Sequence, residues 1–141
     1  MNPYMWHPLA VLSQVSLLRV FAGLVVAFVI GYIWYGPLFG KTWMKLVGLT
    51  EAQCRKNTKA LYWNIPISFL LALSIETYVI FIGGHTTFAG LFVGMRYAIV
   101  VALVLAMHAL YEQRSARLTL INIGFNIVSL GLMGAVIGWL S

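Results

Sequence analysis

Charged residues are scarce in this chain: they make up 9% of its 141 positions, against about a quarter in an average soluble protein. Hydrophobic residues make up 62%, and the mean hydropathy is +0.92. A soluble domain of this size cannot bury so much apolar surface, so the composition predicts an all-α, polytopic membrane protein in contact with the lipid bilayer. The single cysteine, Cys54, excludes an internal disulfide and a multi-cysteine metal site.

The usual catalytic motifs are missing as well. No GxxxxGKS/T loop, HExxH pair or GxSxG segment occurs. His7, His85 and His108 lie far apart along the chain, and nothing spaces them as metal ligands. We therefore expect a protein that is not an enzyme and holds no metal and no cofactor. The net charge of +6 is explained by membrane topology rather than by a nucleic-acid partner, because the basic residues cluster between the apolar stretches.

Four apolar stretches are long enough to cross a bilayer, for which a helix needs about 20 residues. Gly36–Pro37 is expected to end the first, because proline lacks an amide donor and disfavours helix in the residue before it. Gly83–Gly84 predicts a tight turn between the second and third. The predicted spans are 17–38, 62–83, 87–111 and 118–140, preceded by an external N-terminal lead, 1–16.

Basic residues are distributed unequally between the two sides of these spans. Only Arg19 lies on the side of the termini. Because cytoplasmic loops are enriched in Lys and Arg, both termini are predicted to lie outside a bacterial inner (plasma) membrane. The first 18 residues hold no Lys or Arg, so we expect no cleavable signal peptide. The loops after the first and third spans hold Lys41, Lys45, Arg55, Lys56, Lys59, Arg114 and Arg117.

The segment 39–61 is predicted to lie on the cytoplasmic interface. Phe39–Val47 is an amphipathic stretch that Gly48 can end. Thr50 with Gln53 predicts a capping box for a further helix running into the second span. The basic surface is interpreted as a contact with anionic lipid, with a cytosolic partner as the alternative. The residues assigned to the interface are Trp34, Tyr35, Lys41, Trp43 and Lys45.

Small residues recur at every fourth position on three of the spans. Such ridges let helices approach closely, which matters in lipid because the hydrophobic incentive for packing is absent there. We interpret the ridges as contacts within the bundle, with a seam between copies in a homo-oligomer as the alternative. The helix-packing residues are Gly23, Ala27, Gly31, Gly90, Gly94, Ala98, Ala102, Ala106, Gly134 and Gly138.

Two opposite charges, Glu76 and Arg96, lie inside apolar spans. Each would cost roughly 2.5–3.5 kcal/mol if left alone in hydrocarbon, so they are candidates for a functional site. Their depths below the Gly83–Gly84 turn differ by several ångströms, by roughly 1.5 Å of rise per residue, which an arginine side chain can bridge. A Glu76–Arg96 pair would either fix the register of two helices or give Glu76 a titrating role.

The last span carries a polar stripe formed by Asn122, Asn126 and Ser129, which lie nearly in line on one side of a helix. In lipid such side chains form hydrogen bonds between helices. A water-lined vestibule opening to the cytoplasm is the alternative interpretation.

The segment GYIWYGPLFGKTWMKLVGLTEAQ, residues 31–53, carries a specific pattern of aromatic, glycine and proline residues. It resembles the hallmark of a family of small bacterial integral membrane proteins catalogued as the domain of unknown function numbered 1761. The resemblance covers about residues 23–140 and implies four spans with no established activity. The matching residues are Gly31, Trp34, Tyr35, Pro37, Phe39, Gly40, Trp43, Gly48, Leu49, Thr50 and Glu51, with Asn122, Gly124, Gly134 and Trp139 in the last span.

Two functions follow from these features. The first is binding or passage of a small solute or ion through a homo-oligomer. The polar site would consist of Glu76, Arg96 and the polar stripe of Asn122, Asn126 and Ser129. The alternative is a non-catalytic accessory or assembly subunit of a larger membrane complex. In that case the N-terminal lead would add an external contact through one helical side formed by Trp6, Leu9, Leu12 and Val15.

Overall fold

The computed structural model describes residues 8–141, so Trp6 and the rest of the first seven residues lie outside the described part. Every regular element within residues 8–141 is helical, as the composition predicts. Four of the helices are long and apolar enough to cross a membrane. In chain order the elements are α1 (Pro8–Leu12), α2 (Leu17–Ile33), a π-helical turn (Trp34–Leu38), α3 (Gly40–Val47), α4 (Glu51–Lys56), α5 (Thr58–Phe81), α6 (Thr87–Tyr111) and α7 (Ala116–Trp139).

The four long helices alternate in direction, which gives the bundle two distinct ends. At the first, the start of α2 contacts the last turns of α5, and the C-terminal part of α7 contacts the turn before α6. We call this the terminal end. Opposite it, the π-helical turn contacts the first part of α7. We call this the basic end, because α3, α4 and the 112–115 turn carry most of the Lys and Arg residues there.

Helices α6 and α7 pack backbone against backbone along their glycines. A methyl group on Gly90 would collide with the carbonyl oxygen of Gly134, and one on Gly138 with the carbonyl oxygen of Thr86. Gly94 is equally close to a carbonyl of α7. Such an approach is possible only without a side chain, so these glycines set the α6–α7 distance.

The core lies among α2, α5, α6 and α7, on the terminal side of the bundle. Gly23 of α2 admits the side chains of Met133 and Ile137, each 3.0 Å from where a Cβ atom would lie. The other small residues follow the same faces: Ala27 packs against the core, Gly31 faces Phe125 and Ala98 is fully buried. Ala102 and Ala106 are half-buried.

Pro37 lies within the last turn of the first span, which ends one residue later, at Leu38, as predicted. The chain continues through the π-helical turn, in which the Phe39 N–H donates to the Trp34 carbonyl at 2.9 Å. This wider turn accommodates the proline. Gly40 follows it, and a methyl group there would collide with the Tyr35 carbonyl oxygen. The chain therefore turns sharply into α3.

The predicted helix caps at the basic end form, but α4 does not continue into the second membrane helix as predicted. Gly48 ends α3 with a left-handed φ of +76°, and Thr50 with Gln53 forms the predicted capping box of α4. The chain then breaks at Asn57, whose side chain accepts the Ala60 N–H at 3.4 Å. Asparagine competes well for such a cap position, so the second membrane helix begins at Thr58 instead of continuing from α4.

Helix α5 is covered along only part of its length. Every residue from 58 to 67 is exposed, whichever side of the helix it is on, and Pro66 lies within this half without ending the helix. From Ser68 onwards α5 joins the core. No helix of residues 8–141 therefore covers the half of α5 that is near the basic end.

The described part of the N-terminal lead forms only one short helix, α1, which packs on α5. Val11 of this helix is buried, whereas Leu9 and Leu12 are exposed. Val15 lies beyond its end and packs against the core. Leu9, Leu12 and Val15 therefore do not share one helical side, and Trp6 lies outside the described residues.

Candidate functional sites

Glu76 is the most deeply buried charged side chain of residues 8–141. It lies five residues before the end of α5, and its side chain is 1% exposed. Its Oε1 accepts the backbone N–H of Ser16 at 2.8 Å and lies 2.9 Å from Nε of Arg19. Glu76 therefore joins the last turns of α5 to the beginning of α2.

Two positive features stabilise this buried carboxylate. Arg19 supplies a full charge, and Ser16 is the residue that precedes the first turn of α2, where the helix carries a partial positive charge. Nη2 of Arg19 also donates to the Gln14 carbonyl at 2.9 Å, which fixes the segment between α1 and α2. Within the described residues, Oε2 of Glu76 has no hydrogen-bond partner, and the Arg19 Nε–H is not aligned as a donor.

The pair that the sequence suggested, Glu76 with Arg96, does not form; Glu76 pairs with Arg19 instead. The reason lies in the α6–α7 contact. Gly94 must face α7, and Arg96 follows it by two residues, which is about 200° around a helix. Arg96 is thus turned away from the core, whereas Glu76 points into it.

Arg96 is exposed on the outer surface of α6, nine residues into the helix. At 1.5 Å per residue this is roughly 13 Å from the start of α6, well inside the hydrocarbon region. Its guanidinium carbon lies 5.7 Å from the centroid of the Tyr78 ring, a cation–π contact. Among residues 8–141, no carboxylate is paired with Arg96.

An apolar groove runs along α5 near Arg96 and is lined also by Val11 and Leu12 of α1 and by Tyr97 of α6. It has a volume of about 650 Å³, and its floor includes a hydrogen bond of 2.7 Å between the hydroxyls of Ser74 and Tyr97. A smaller depression of about 210 Å³ contains Arg96 and shares Tyr78 and Tyr97 with the groove. We call the two together the Arg96 groove, lined by Leu70, Leu73, Ser74, Tyr78, Arg96 and Tyr97.

A second polar cluster lies near the basic end, where the π-helical turn contacts α7. The Trp34 indole N–H donates to the Ile121 carbonyl at 3.0 Å, and the Tyr35 hydroxyl donates to Oδ1 of Asn122 at 3.0 Å. Gly124 leaves room for the Trp34 ring, since a Cβ atom there would lie 2.9 Å from it. The two segments that carry the family resemblance thus meet in space.

Cavities of about 330, 280 and 350 Å³ open beside this cluster. The first two share Arg114 and Asn122, and His108 lines the first and Trp43 of α3 the second. The third is lined by Trp34, Ile121 and Gly124 of the cluster itself. Lys41 and Lys45 are exposed on α3. Asn126 donates to the Asn122 carbonyl of its own helix at 2.8 Å, and Ser129 is buried deeper in the bundle.

The structure does not bring the candidate polar residues together. Glu76 lies near the terminal end, Asn122 near the basic end, Asn126 close to the middle of α7, and Arg96 on the outside. Arg19 was not predicted as the partner of Glu76, although it is the one Lys or Arg on the side where α5 ends. The tyrosines around Arg96 were not predicted either, because spacing in the sequence offers no signal for them.

Four long apolar helices, charges confined to a few sites and aromatic residues at the basic end define a polytopic helical membrane protein. The family described as "Protein of unknown function (DUF1761)" matches residues 18–138, so the chain belongs to that family. The match agrees with the resemblance carried by residues 31–53. No curated protein and no solved structure matches the chain.

Proposed function

We propose that this protein is a non-catalytic accessory or assembly subunit that docks, inside the membrane, on a different membrane protein through the Arg96 groove. One observation carries the proposal: an arginine lies on the outer surface of a membrane helix, near mid-span, without a carboxylate partner among residues 8–141. An arginine facing lipid at the centre of a span costs roughly 2.5–3.5 kcal/mol on insertion scales. A partner that covers it removes this cost.

The incomplete packing of α5 and α6 supports the same proposal. Residues 58–67 are exposed on every side, and α6 leaves Val100, Leu103 and Met107 uncovered on the face away from α7. Apolar residues facing lipid are ordinary in a membrane protein. A helix half that no helix of residues 8–141 covers, together with an exposed arginine within a span, is typical of a subunit whose bundle is completed by another chain.

Passage of a solute or ion is less well supported by the geometry. The Glu76 side chain is 1% exposed, and its Oε1 already accepts the Ser16 N–H and pairs with Arg19. The open cavities near the basic end reach no deeper than Asn122 and Gly124. The polar residues would therefore need a large rearrangement to form one pathway.

The placement in an inner (plasma) membrane, with both termini outside, belongs to the proposal too. Its support is the concentration of Lys and Arg at the basic end, which fits the cytoplasmic side of a membrane. The same residues, with Trp43 of α3, suit contact with anionic headgroups.

The test compares two variants of a tagged protein extracted gently from its native membrane. Leu70 lines the groove and Val25 lies on α2 away from it; their exposures, 62% and 58%, make them a matched pair. Leu70→Trp should fill the groove and strip a stoichiometric, different chain that the wild-type protein and Val25→Trp retain. If wild type and both variants purify as the same homo-oligomer without a second chain, the proposal fails.

A further inference from the structure

We propose that the occupant of the Arg96 groove is a transmembrane helix of a different polypeptide, whose Asp or Glu side chain pairs with Arg96. The inference rests on the proposed function and specifies the chemistry of the partner. Its grounds are the shape of the groove, the depth of Arg96 and the positions of the carboxylates in this chain.

The shape of the groove suits a helix. From Leu70 to Phe81 the groove follows α5 for eleven residues, or about 16 Å, which is more than half of a hydrocarbon core of about 30 Å. The half of α5 that no helix of residues 8–141 covers lies just before Leu70 on the same helix. The total length suits an element that crosses the bilayer, and the apolar lining suits apolar side chains.

The positive charge of Arg96 favours a partner that carries a negative charge at the same depth in the membrane. It lies three residues from the midpoint of α6, roughly 5 Å along the helix axis. A lipid phosphate lies at the surface of the hydrocarbon core, about 15 Å from its centre. The guanidinium is held over the Tyr78 ring, within the span. A carboxylate carried on a membrane helix can meet it there, because intramembrane charges are commonly paired with one another.

A second copy of this chain does not supply that carboxylate. The chain has three acidic residues. Glu76 is buried against Arg19, whereas Glu51 pairs with Arg55 and Glu112 with Arg114, both outside the spans. A two-fold axis along the membrane normal would also bring two Arg96 side chains to the same depth, with like charges facing each other. The charges therefore favour a partner of different sequence.

Site-specific photo-cross-linking in native membranes tests this inference. A benzophenone amino acid replaces Leu70 in the groove or, as the matched control, Val25 on α2. Cross-linked peptides are then sequenced by mass spectrometry. We expect the Leu70 probe to capture one apolar segment of a different protein that contains an Asp or Glu, and the Val25 probe not to capture it.

Arg96 variants then test the charge pair itself. Arg96→Gln should lower the yield of this cross-link by roughly tenfold or more, and Arg96→Lys should largely preserve it. Arg96 is exposed, so both variants should fold; their unfolding curves check this. Exchange of the two charges, Arg96→Glu with the partner's acidic residue changed to Arg, should restore the yield.

The outcomes separate the two proposals. A different protein captured through a segment without an acid, or with a yield that Arg96→Gln leaves unchanged, overturns the carboxylate inference and leaves the accessory-subunit proposal standing. Capture of a second copy of this chain, or of lipid alone, overturns both.

Discussion

Replacing Glu76 with glutamine tests the ion pair that joins α5 to α2. Glutamine keeps the shape and can still accept the Ser16 N–H, but it leaves Arg19 without its counter-charge. Removing one partner of a buried pair costs about 3–5 kcal/mol. The Arg19 side chain is 14% exposed and lies near the terminal end, where water can reach it. We therefore expect the free energy of unfolding to fall by about 3 kcal/mol, the lower end of that range.

The reverse change should be more damaging. Arg19→Gln leaves the Glu76 carboxylate, which is 1% exposed and already has one oxygen without a partner, in a site that water does not reach. We expect a loss of about 4–5 kcal/mol. The double variant should lose less than the sum of the two single variants, by roughly 2 kcal/mol, because neither residue is then charged.

The assay is equilibrium unfolding by SDS titration in mixed micelles, followed by tryptophan fluorescence. Arg96→Gln is the control, since Arg96 is exposed and has only the cation–π contact with Tyr78 to lose, worth about 0.5–1 kcal/mol. The reasoning would be refuted if Glu76→Gln stayed within about 0.5 kcal/mol of wild type, or if Glu76 coupled to Arg96 more strongly than to Arg19.

Three further predictions concern packing and topology. Gly94→Val should separate α6 from α7, because the added side chain meets a carbonyl of α7, and should cost at least about 1–3 kcal/mol in the same titration; a loss near zero would contradict the glycine contact. Trp34→Phe should lower the free energy of unfolding by about 1 kcal/mol because the indole hydrogen bond to Ile121 is lost, whereas Trp63→Phe, the exposed control, should leave it unchanged. Equal effects of the two variants would show that this hydrogen bond does not stabilise the fold. A membrane-impermeant maleimide should not label Cys54 in intact cells, but should label His85→Cys in a Cys54→Ser background; the opposite result would invert the proposed topology.

Much of the architecture could be predicted because lipid imposes strict rules on a chain. The length of an apolar run determines whether it can span, so four runs predicted four membrane helices. Local chemistry predicted the Thr50–Gln53 capping box and the left-handed Gly48. The predicted continuity of the next helix failed at Asn57, where a side-chain cap outweighed helix propensity over a few residues.

The partners of the charged residues could not be predicted from the sequence. Judged by depth in the membrane alone, Glu76 could pair with either Arg19 or Arg96. Which arginine pairs with it depends on how α6 is rotated about its own axis. That rotation is set by the contact of Gly94 with α7, a tertiary feature. Sequence spacing likewise did not indicate that Tyr78 would lie beneath Arg96.

The most direct test of the accessory-subunit account is the mass of the intact assembly released gently from its native membrane, with every chain in it identified. The account predicts this protein together with a different membrane protein in a fixed ratio, and loss of that protein in Leu70→Trp but not in Val25→Trp. A uniform assembly built only from copies of this chain, unchanged by Leu70→Trp, would contradict it and would favour a homo-oligomeric solute or ion pathway.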